Sequence, residues 1–269
     1  LGRAFERGVA GMADRAGTNT QFGCLLLLVP LLRSTAAGDL SPAGVDRTTR
    51  GTTVDDAVSF YRAFEHVDVA VADPPPECEE LDVRRGSGAG AAIRDRDVTL
   101  RDVMALSAES DDPDRVPDRN AQEWVEGFPR TFRAAAWIER DEGPLTDRAA
   151  RAFLGLLAAE PDTLVAATHG AETARRASER AAALLGGGGG ASGGAARAIG
   201  VDVVDTDETG DGTFDPGETD ADAVRAADLD AAEELATTFV DEGINPGTTA
   251  DLTCAALYVA LRRGAEVAP

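Results

Sequence analysis

Apolar side chains recur every three to four residues along most of this chain, which is the spacing of one face of an α-helix. The two-residue alternation of a strand extends no further than residues 201–204. The pattern therefore predicts an all-α fold, which we expect to form a single helical-bundle-like domain over residues 1–269. The predicted helices cover residues 1–15, 22–32, 53–72, 99–106, 120–140, 146–160, 162–185, 228–242 and the second half of 245–261.

Local signals mark where several of these helices begin and end. Thr99 and Asp102 form a capping box with Asp in place of Glu, which predicts a helix start. Gly127 and Pro129 interrupt the pattern over 120–140, so we expect a kink or two helices that meet there. The stretches without helical periodicity are the loop at 77–93, the proline-broken connection at 111–118, the Gly-rich linker at 186–194 and the acidic loop at 201–222.

The segment 245–261 joins a turn of small polar residues to an apolar helix. Thr248 or Thr249 is placed to cap the helix, and Asp251 is expected in its first turn, where a carboxylate complements the helix dipole. Gly264 is expected to end it. Two interpretations stay open, because such a turn either starts an ordinary core helix or offers free N–H groups to an anion such as phosphate.

A second turn of the same kind precedes the apolar run at 22–32. Its sequence, Ala-Gly-Thr-Asn-Thr-Gln at 16–21, again places small and amide side chains before a helix start. Two such turns in one chain favour an anion site more strongly than either turn alone.

The charge of the chain excludes several classes of partner. Lys and Arg total 26 against 48 Asp and Glu, which gives a net charge of −22. Such a surface repels phosphate backbones and anionic lipids, so we predict no nucleic-acid partner and no membrane partner. Dense carboxylates with abundant Ala and Gly favour a halophilic habitat, where salt screens the repulsion.

The cysteines and the apolar runs indicate a cytoplasmic protein. Cys24, Cys78 and Cys254 are odd in number and widely spaced, so they suit neither a disulfide framework nor a metal-binding pair. The run at 22–32 contains Pro30 and is far shorter than the roughly 20 residues of a membrane-spanning helix. No signal peptide is visible.

The acidic loop contains a stretch that aligns with a twelve-residue calcium loop, at 207–218. Thr209 stands where Asp or Asn is typical, and Pro216 lies where the outgoing helix would begin. The alternative is an acidic surface insertion without a ligand, which an acidic composition readily produces. The predicted Ca²⁺ ligands are Asp207, Asp211, Asp215 and Glu218.

Other catalytic motifs find little support. Of the two histidines, His66 is expected to be structural or exposed, whereas His169 lies beside Gly170 and is the better candidate for a site. The chain has no G-x-S-x-G elbow. The glycines at 86–90 lack the flanking strand and helix of a dinucleotide loop, and those at 186–190 lack the Gly-Lys-Ser/Thr of a P-loop.

Four motifs along the chain carry a family resemblance. In order they are TNTQFGCLLLLVPLL (18–32), EWVEGFPRTF (123–132), PDTLVAATHG (161–170) and INPGTTADLTCAALYVAL (244–261). Together they resemble the triphosphoribosyl-dephospho-coenzyme A synthase family, which is all-helical, and the chain looks closer to an archaeal, halophile-like branch. The resemblance implies an enzyme that joins the triphosphoribosyl group of ATP to the 2′-hydroxyl of 3′-dephospho-coenzyme A and releases adenine.

The resemblance also implies roles for particular residues. Helix-start N–H groups would hold the triphosphate, with Mg²⁺ on Asp162 and Asp251. Displacing adenine passes through an oxocarbenium-like state, which carboxylates can stabilise. The catalytic candidates are Glu123, Asp162 and His169. The nucleotide-binding candidates are Thr18, Asn19, Thr20, Gln21, Asn245, Gly247, Thr248 and Thr249.

The chain departs from the family pattern in three places. The family's Lys-Pro-Gly-x-Val segment, expected upstream of Leu1, is absent, so we expect part of the site to be missing. Gln21 stands where His is frequent, and Thr248-Thr249 replaces Gly-Ser. Two functions stay open: the transferase with a dephospho-CoA-like acceptor, and a non-catalytic or different-acceptor nucleotide-binding protein of the same fold. A homodimer is the candidate assembly.

Overall fold

The computed structural model describes residues 1–71, 76–109, 115–186 and 220–267. Within these ranges the regular structure is helical and contains no strand, which confirms the all-α prediction. The elements are α1 (Gly2–Ala16), α2 (Phe22–Ala36), α3 (Pro42–Arg50), α4 (Val54–Ala63), two 3-10 segments (Pro76–Leu81 and Val83–Ala89), α5 (Gly90–Asp95), α6 (Leu100–Ala108), α7 (Arg119–Glu126), α8 (Pro129–Arg140), α9 (Leu145–Ala159), α10 (Thr163–His169), α11 (Ala171–Gly186), α12 (Ala221–Arg225), α13 (Leu229–Asp241) and α14 (Gly247–Arg262).

Most of the Gly-rich linker and of the acidic loop falls at 187–219, outside the described residues. Because residues 187–219 are not among the described residues, the single domain over residues 1–269 stays a prediction. The last residues of the predicted loop are helical, because Asp220 caps α12 through the Asp222 N–H. The calcium-binding prediction also lies outside the described residues and stays a prediction; it concerns Asp207, Asp211, Asp215 and Glu218.

Helix starts with local caps agree with the sequence. Thr99 accepts a hydrogen bond from the Asp102 N–H, and the Asp102 carboxylate accepts one from the Thr99 N–H, which completes the predicted box at α6. Gly127 has a φ of 84° and separates α7 from α8, so the predicted interruption is a corner between two helices. Gly264, with a φ of 100°, follows the end of α14.

Other boundaries differ from the prediction. The helix predicted over 53–72 ends at Ala63, and Val67 and Val69 then pack on the core from irregular backbone. The predicted loop at 77–93 holds two 3-10 segments and α5, anchored by buried Leu81 and Ile93. The helix predicted over 162–185 is two helices, because Gly170 adopts a φ of 86° between α10 and α11.

The apolar run at 22–32 extends into a longer helix, α2, which continues to Ala36. Pro30 lies inside this helix, and Leu27 and Leu31 are fully buried around it. Among the described helices, none is both long and apolar enough to cross a bilayer.

Helix α14 is the central helix of the described fold. It packs against α2, α8 and α9, and its first turns also contact α7 and α10. Small side chains on its buried faces allow this close packing on several sides. The apolar residues that α14 buries are Leu252, Ala255, Ala256, Val259 and Ala260. The segment with the clearest motif is therefore also the one around which the main core is assembled.

Candidate functional site

The first turns of four helices, α2, α7, α10 and α14, meet in one region of the molecule. The Thr163 hydroxyl at the start of α10 accepts a hydrogen bond from the Arg119 N–H at the start of α7, at 3.1 Å. Leu164 N–H of α10 donates to the Thr248 hydroxyl of α14, at 3.3 Å. Side chains of α2 and α7 in turn bind Asp251 of α14. Three of the four quoted motifs therefore contribute to this region, whereas the α7 contacts come from Arg119 and Asn120, just before the second motif.

Asp251 joins three of these helices. One of its carboxylate oxygens accepts a hydrogen bond from the Cys24 thiol at 3.1 Å, and the other accepts one from the Asn120 amide at 3.0 Å. Burial raises the pKa of Asp251 to about 6, and the negative charge of Asp162 adds to the rise against the opposing hydrogen bonds. A carboxylic acid with such a pKa changes protonation state near neutral pH, which suits general acid–base chemistry.

Gly23 explains how Asp251 reaches the start of α2. A Cβ added at Gly23 would lie 1.8 Å from a carboxylate oxygen of Asp251 and 2.7 Å from the Asn120 amide nitrogen. No side chain fits in that space, so the absence of one at residue 23 lets the carboxylate approach the helix. The sequence pattern of the first motif gave no sign of this role.

Asp162 caps two helices with one carboxylate. One oxygen accepts from the N–H groups of Leu164 and Val165 at 2.9 and 3.0 Å, and the other accepts from the N–H and hydroxyl of Thr249 at 2.7 and 2.8 Å. Burial raises its pKa, although these four hydrogen bonds oppose the rise. The local cap predicted for α14 is therefore wrong: neither Thr248 nor Thr249 caps it, and Asp162 supplies the acceptor from a different helix.

Glu123 is fully buried and caps α8 from within α7. Its two oxygens accept hydrogen bonds from the N–H groups of Arg130 and Thr131, both at 3.0 Å. This reach requires the sharp corner in which Phe128, a buried non-glycine residue, adopts a φ of 66°. Burial raises the pKa of Glu123. The Gly-Phe-Pro motif thus builds the helix corner that Glu123 holds.

A buried ion network joins α8 to the segment that leads into Asp162. Arg130 is 2% exposed and binds Glu160 at 2.6 Å and Glu126 at 2.7 Å. Burial alone would raise the pKa of Glu160, but the guanidinium groups of Arg130, Arg119 and Arg133 together outweigh it and lower that pKa. Arg119 completes the network through a contact of 3.4 Å with Glu160. Glu126 and Arg130 are four positions apart in the second motif, but Arg119 and Glu160 lie outside it, so the sequence alone did not predict this network.

The polar turn at residues 18–21 is largely exposed. Asn19 caps α2 by accepting the Phe22 N–H at 3.2 Å, and its amide donates to the carbonyl of Asp68 at 3.3 Å. Gln21, at the N-cap position, makes no side-chain cap, and the side chains of Thr18, Thr20 and Gln21 face solvent.

His169 lies at the opposite end of α10 from Asp162. Its side chain is exposed, and Nδ1 lies 2.8 Å from the Thr168 hydroxyl. Its Nε2 lies near Gly243: a Cβ added at Gly243 would be 4.0 Å from this nitrogen. Asn245, two positions after Gly243, is exposed. Gly247 packs tightly, since a Cβ added there would lie 2.5 Å from the Leu164 side chain. The predicted residues therefore comprise a buried group around Asp162 and Asp251, buried Glu123 at the corner of α7 and α8, the exposed turn at 18–21, and exposed His169 and Asn245.

The two predicted Mg²⁺ ligands, Asp162 and Asp251, differ in how many carboxylate acceptor sites remain free for a metal ion. In the described ranges, no group of three or more His, Cys, Asp or Glu side chains is arranged to hold a metal ion. The four hydrogen bonds of Asp162 use all of its carboxylate acceptor sites. Asp251 accepts fewer, so of the two it fits a metal ion better.

Comparison with known proteins identifies the family. The solved structure of a protein provisionally named triphosphoribosyl-dephospho-CoA synthase, from Archaeoglobus fulgidus, is similar to this chain with a TM-score of 0.64 and 22% identity, over 98% of this chain and 92% of that one. A search of curated proteins found no match. The model of the ATP:dephospho-CoA triphosphoribosyl transferase (CitG) family matches residues 1–201 and 213–268. The chain therefore belongs to the ATP:dephospho-CoA triphosphoribosyl transferase family, which is a family of enzymes.

Proposed function

We propose that the four helix starts around Asp251 form the active site in which this enzyme transfers the triphosphoribosyl group of ATP to 3′-dephospho-CoA. The observation that supports this site is the convergence of the first turns of α2, α7, α10 and α14. Each helix start carries a partial positive charge that favours an anion. At α10 and α14 the carboxylate of Asp162 already accepts the N–H groups of Leu164, Val165 and Thr249, so there the proposal relies on the helix dipoles. In a chain of net charge −22, such positive ends suit a triphosphate well.

The exposed turn at the start of α2 is the proposed entry for the triphosphate. The hydroxyls of Thr18 and Thr20 and the amide of Gln21 face solvent there, while Asn19 fixes the backbone of the turn. At the start of α14, Thr248 and Thr249 are buried and bonded within the protein. We therefore assign contact with the phosphates to the first turn, and support of the site to the second.

The transfer breaks the bond from C1′ of the ATP ribose to adenine and forms a bond from C1′ to the 2′-oxygen of the acceptor. The acceptor hydroxyl loses its proton and the leaving adenine gains one. Asp251 is the proposed base for the hydroxyl, because its pKa of about 6 leaves it ionised at neutral pH yet basic enough to accept a proton. His169 lies at the other end of α10 from these helix starts, and its predicted role as donor to the leaving group stays a prediction.

The catalytic roles predicted for Glu123 and Asp162 stay predictions. Their hydrogen bonds favour positioning roles, since each carboxylate holds the start of a neighbouring helix. Mg²⁺, if bound, would neutralise triphosphate charge, and Asp251 has the acceptor capacity to hold it. A carboxylate that holds Mg²⁺ cannot also accept the proton of the hydroxyl, so the two roles proposed for Asp251 are alternatives. Loss of activity on chelation, restored by added Mg²⁺, would support the metal-binding role.

Adenine release tests the proposed function. The full chain is incubated with ATP in molar salt with Mg²⁺, with and without dephospho-CoA. Release that requires dephospho-CoA, with a product of the combined mass, supports the reaction and acceptor. Saturable ATP binding without release points to another acceptor. If neither is observed, the proposal is wrong.

Two further predictions concern ligands and assembly. Calcium binding at 207–218 would give heat on titration with Ca²⁺, and absence of heat at millimolar Ca²⁺ would refute it. The homodimer would appear in light scattering as twice the chain mass of 27.9 kDa.

A further inference from the structure

A groove of about 400 Å³ lies beside the proposed active site, between α11 and the connection from α13 to α14. Its volume falls in the range of ligand pockets, roughly 300–1,000 Å³. Ile244 at one edge directly precedes Asn245 and packs with residues of α10 and α11. The groove is lined by Thr173, Arg176, Ala177, Arg180, Glu242 and Ile244.

The groove combines an apolar floor with two guanidinium groups. Ile244 supplies the apolar surface, and Ala177, which is 1% exposed, lies beneath it. Arg180 is held in place, since its guanidinium stacks 4.8 Å from the ring centre of Phe239 and pairs with Glu242 at 2.7 Å. Acidic residues outnumber arginines by 48 to 26 in this chain, whereas the groove is lined by two arginines and one glutamate.

Arg176 is the more available of the two cations. Its side chain is 58% exposed, and its contacts are a hydrogen bond to Thr173 at 3.2 Å and a pair with Glu172 at 3.4 Å. A surface pair of this kind contributes little free energy, so an incoming phosphate can replace the carboxylate of Glu172 at small cost. A guanidinium then binds the phosphate through two parallel N–H donors.

We propose that this groove binds the diphosphate-pantetheine arm of the acceptor, with the diphosphate at Arg176 and Arg180 and the apolar part of the arm over Ile244. The inference rests on the proposed function, which supplies an acceptor of this chemistry. The arm carries charge next to an uncharged chain, and the lining of the groove contains both guanidinium groups and an apolar side chain. His169 approaches Gly243 at the near end, so the acceptor ribose would lie toward the reacting groups.

Charge reversal in the groove tests the proposal against a matched control. Arg176→Glu removes the exposed cation of the groove, whereas Arg175→Glu makes the same change at its neighbour, which pairs with the same Glu172 at 3.9 Å but does not line the groove. We expect Arg176→Glu to raise the KM for dephospho-CoA by about tenfold or more, as for loss of a charge-assisted hydrogen bond. The KM of Arg176→Glu for ATP should stay close to that of the unchanged chain. Arg175→Glu should keep the KM for both substrates close to those of the unchanged chain.

Calorimetric titration with dephospho-CoA and with pantetheine 4′-phosphate, each without ATP, separates this inference from the proposed function. Weaker binding of both probes to Arg176→Glu than to Arg175→Glu supports the groove even if no adenine is released. An equal effect of the two variants, a change in the KM for ATP instead, or no binding of either probe to the unchanged chain would overturn it.

Discussion

Gly23 is the residue at which the packing of the site leaves least room. We expect Gly23→Ala to displace the Asp251 carboxylate, because the added Cβ would stand 1.8 Å from its oxygen. Overpacking of this kind costs about 1–3 kcal/mol of the free energy of unfolding. Adenine release should fall at least about tenfold, since a small misplacement of a reacting group has effects of this size.

Gly11→Ala is the matched control for that change. Gly11 lies in α1 with no atom within 4 Å of an added Cβ, so alanine there should stabilise the helix by about 0.5–1 kcal/mol. Thermal unfolding and the adenine assay measure both variants. If Gly23→Ala and Gly11→Ala have the same melting temperature and the same rate of adenine release, the contact of Gly23 with Asp251 is unimportant.

The raised pKa of Asp251 predicts opposite effects of pH on stability and on activity. The folded state holds the Asp251 proton up to a pKa of about 6, against 3.8 for an ordinary carboxyl. The contribution of Asp251 to stability is thus fully present below pH 3.8 and is lost as pH rises through 6, by about 3 kcal/mol in all. Turnover should rise as pH passes through about 6, because the base must be ionised.

Asp251→Asn tests both effects. The difference in unfolding free energy between the unchanged chain and this variant should vary with pH only between about 4 and 6, and the variant should release little adenine at any pH. A pH–rate profile that Asp251→Asn leaves unchanged would remove Asp251 from the mechanism.

At the scale of helices, Asp162 is the cap on which two elements depend. Asp162→Ala removes the acceptor for four hydrogen bonds at the starts of α10 and α14, so we expect a loss of about 3–5 kcal/mol of unfolding free energy. Asp162→Asn should lose less, because the amide keeps one acceptor oxygen.

Asp228→Ala provides the comparison with an ordinary cap. Asp228 is exposed and accepts hydrogen bonds from Asp230 and Ala231 at the start of α13 only, so its loss should cost about 1 kcal/mol. Chemical denaturation of both alanine variants gives the two values. Similar losses would mean that the double cap of Asp162 contributes no more than a surface cap.

The elements that sequence predicted best are those whose boundary signals are local. The capping box at Thr99 and the corner at Gly127 each involve residues a few positions apart. The cap of α14 was predicted wrongly because its acceptor, Asp162, lies 87 positions from Thr249. Helix α3 was missed although Ser41 caps it and Pro42 begins it, since its nine residues bury little apolar surface.

The candidate site was predicted in its parts but not in its arrangement. The motifs identified the helix starts, the family and the residues Asp162 and Asp251. They gave no indication of Gly23, or of the network of Arg130 and Glu160, because these roles depend on distances between helices rather than on spacing within one.

At the scale of the whole molecule, the charge predicts dependence on salt. With a net charge of −22, self-repulsion opposes the compact state, and salt shortens the distance over which it acts. We expect the melting temperature to rise as potassium chloride increases from low to molar concentration. A melting temperature independent of salt would contradict both the repulsion and the predicted halophilic habitat.

The bonds of Asp251 have a consequence for the order of folding. Its partners, Cys24 and Asn120, lie 227 and 131 positions away along the chain. Contacts between such distant positions close large loops and form slowly. The proposed nucleotide site is therefore complete only when the two ends of the chain have met, and we expect a nascent chain that still lacks α14 to bind ATP weakly. Nucleotide added during refolding would stabilise the last intermediates to form and report on the completion of the fold.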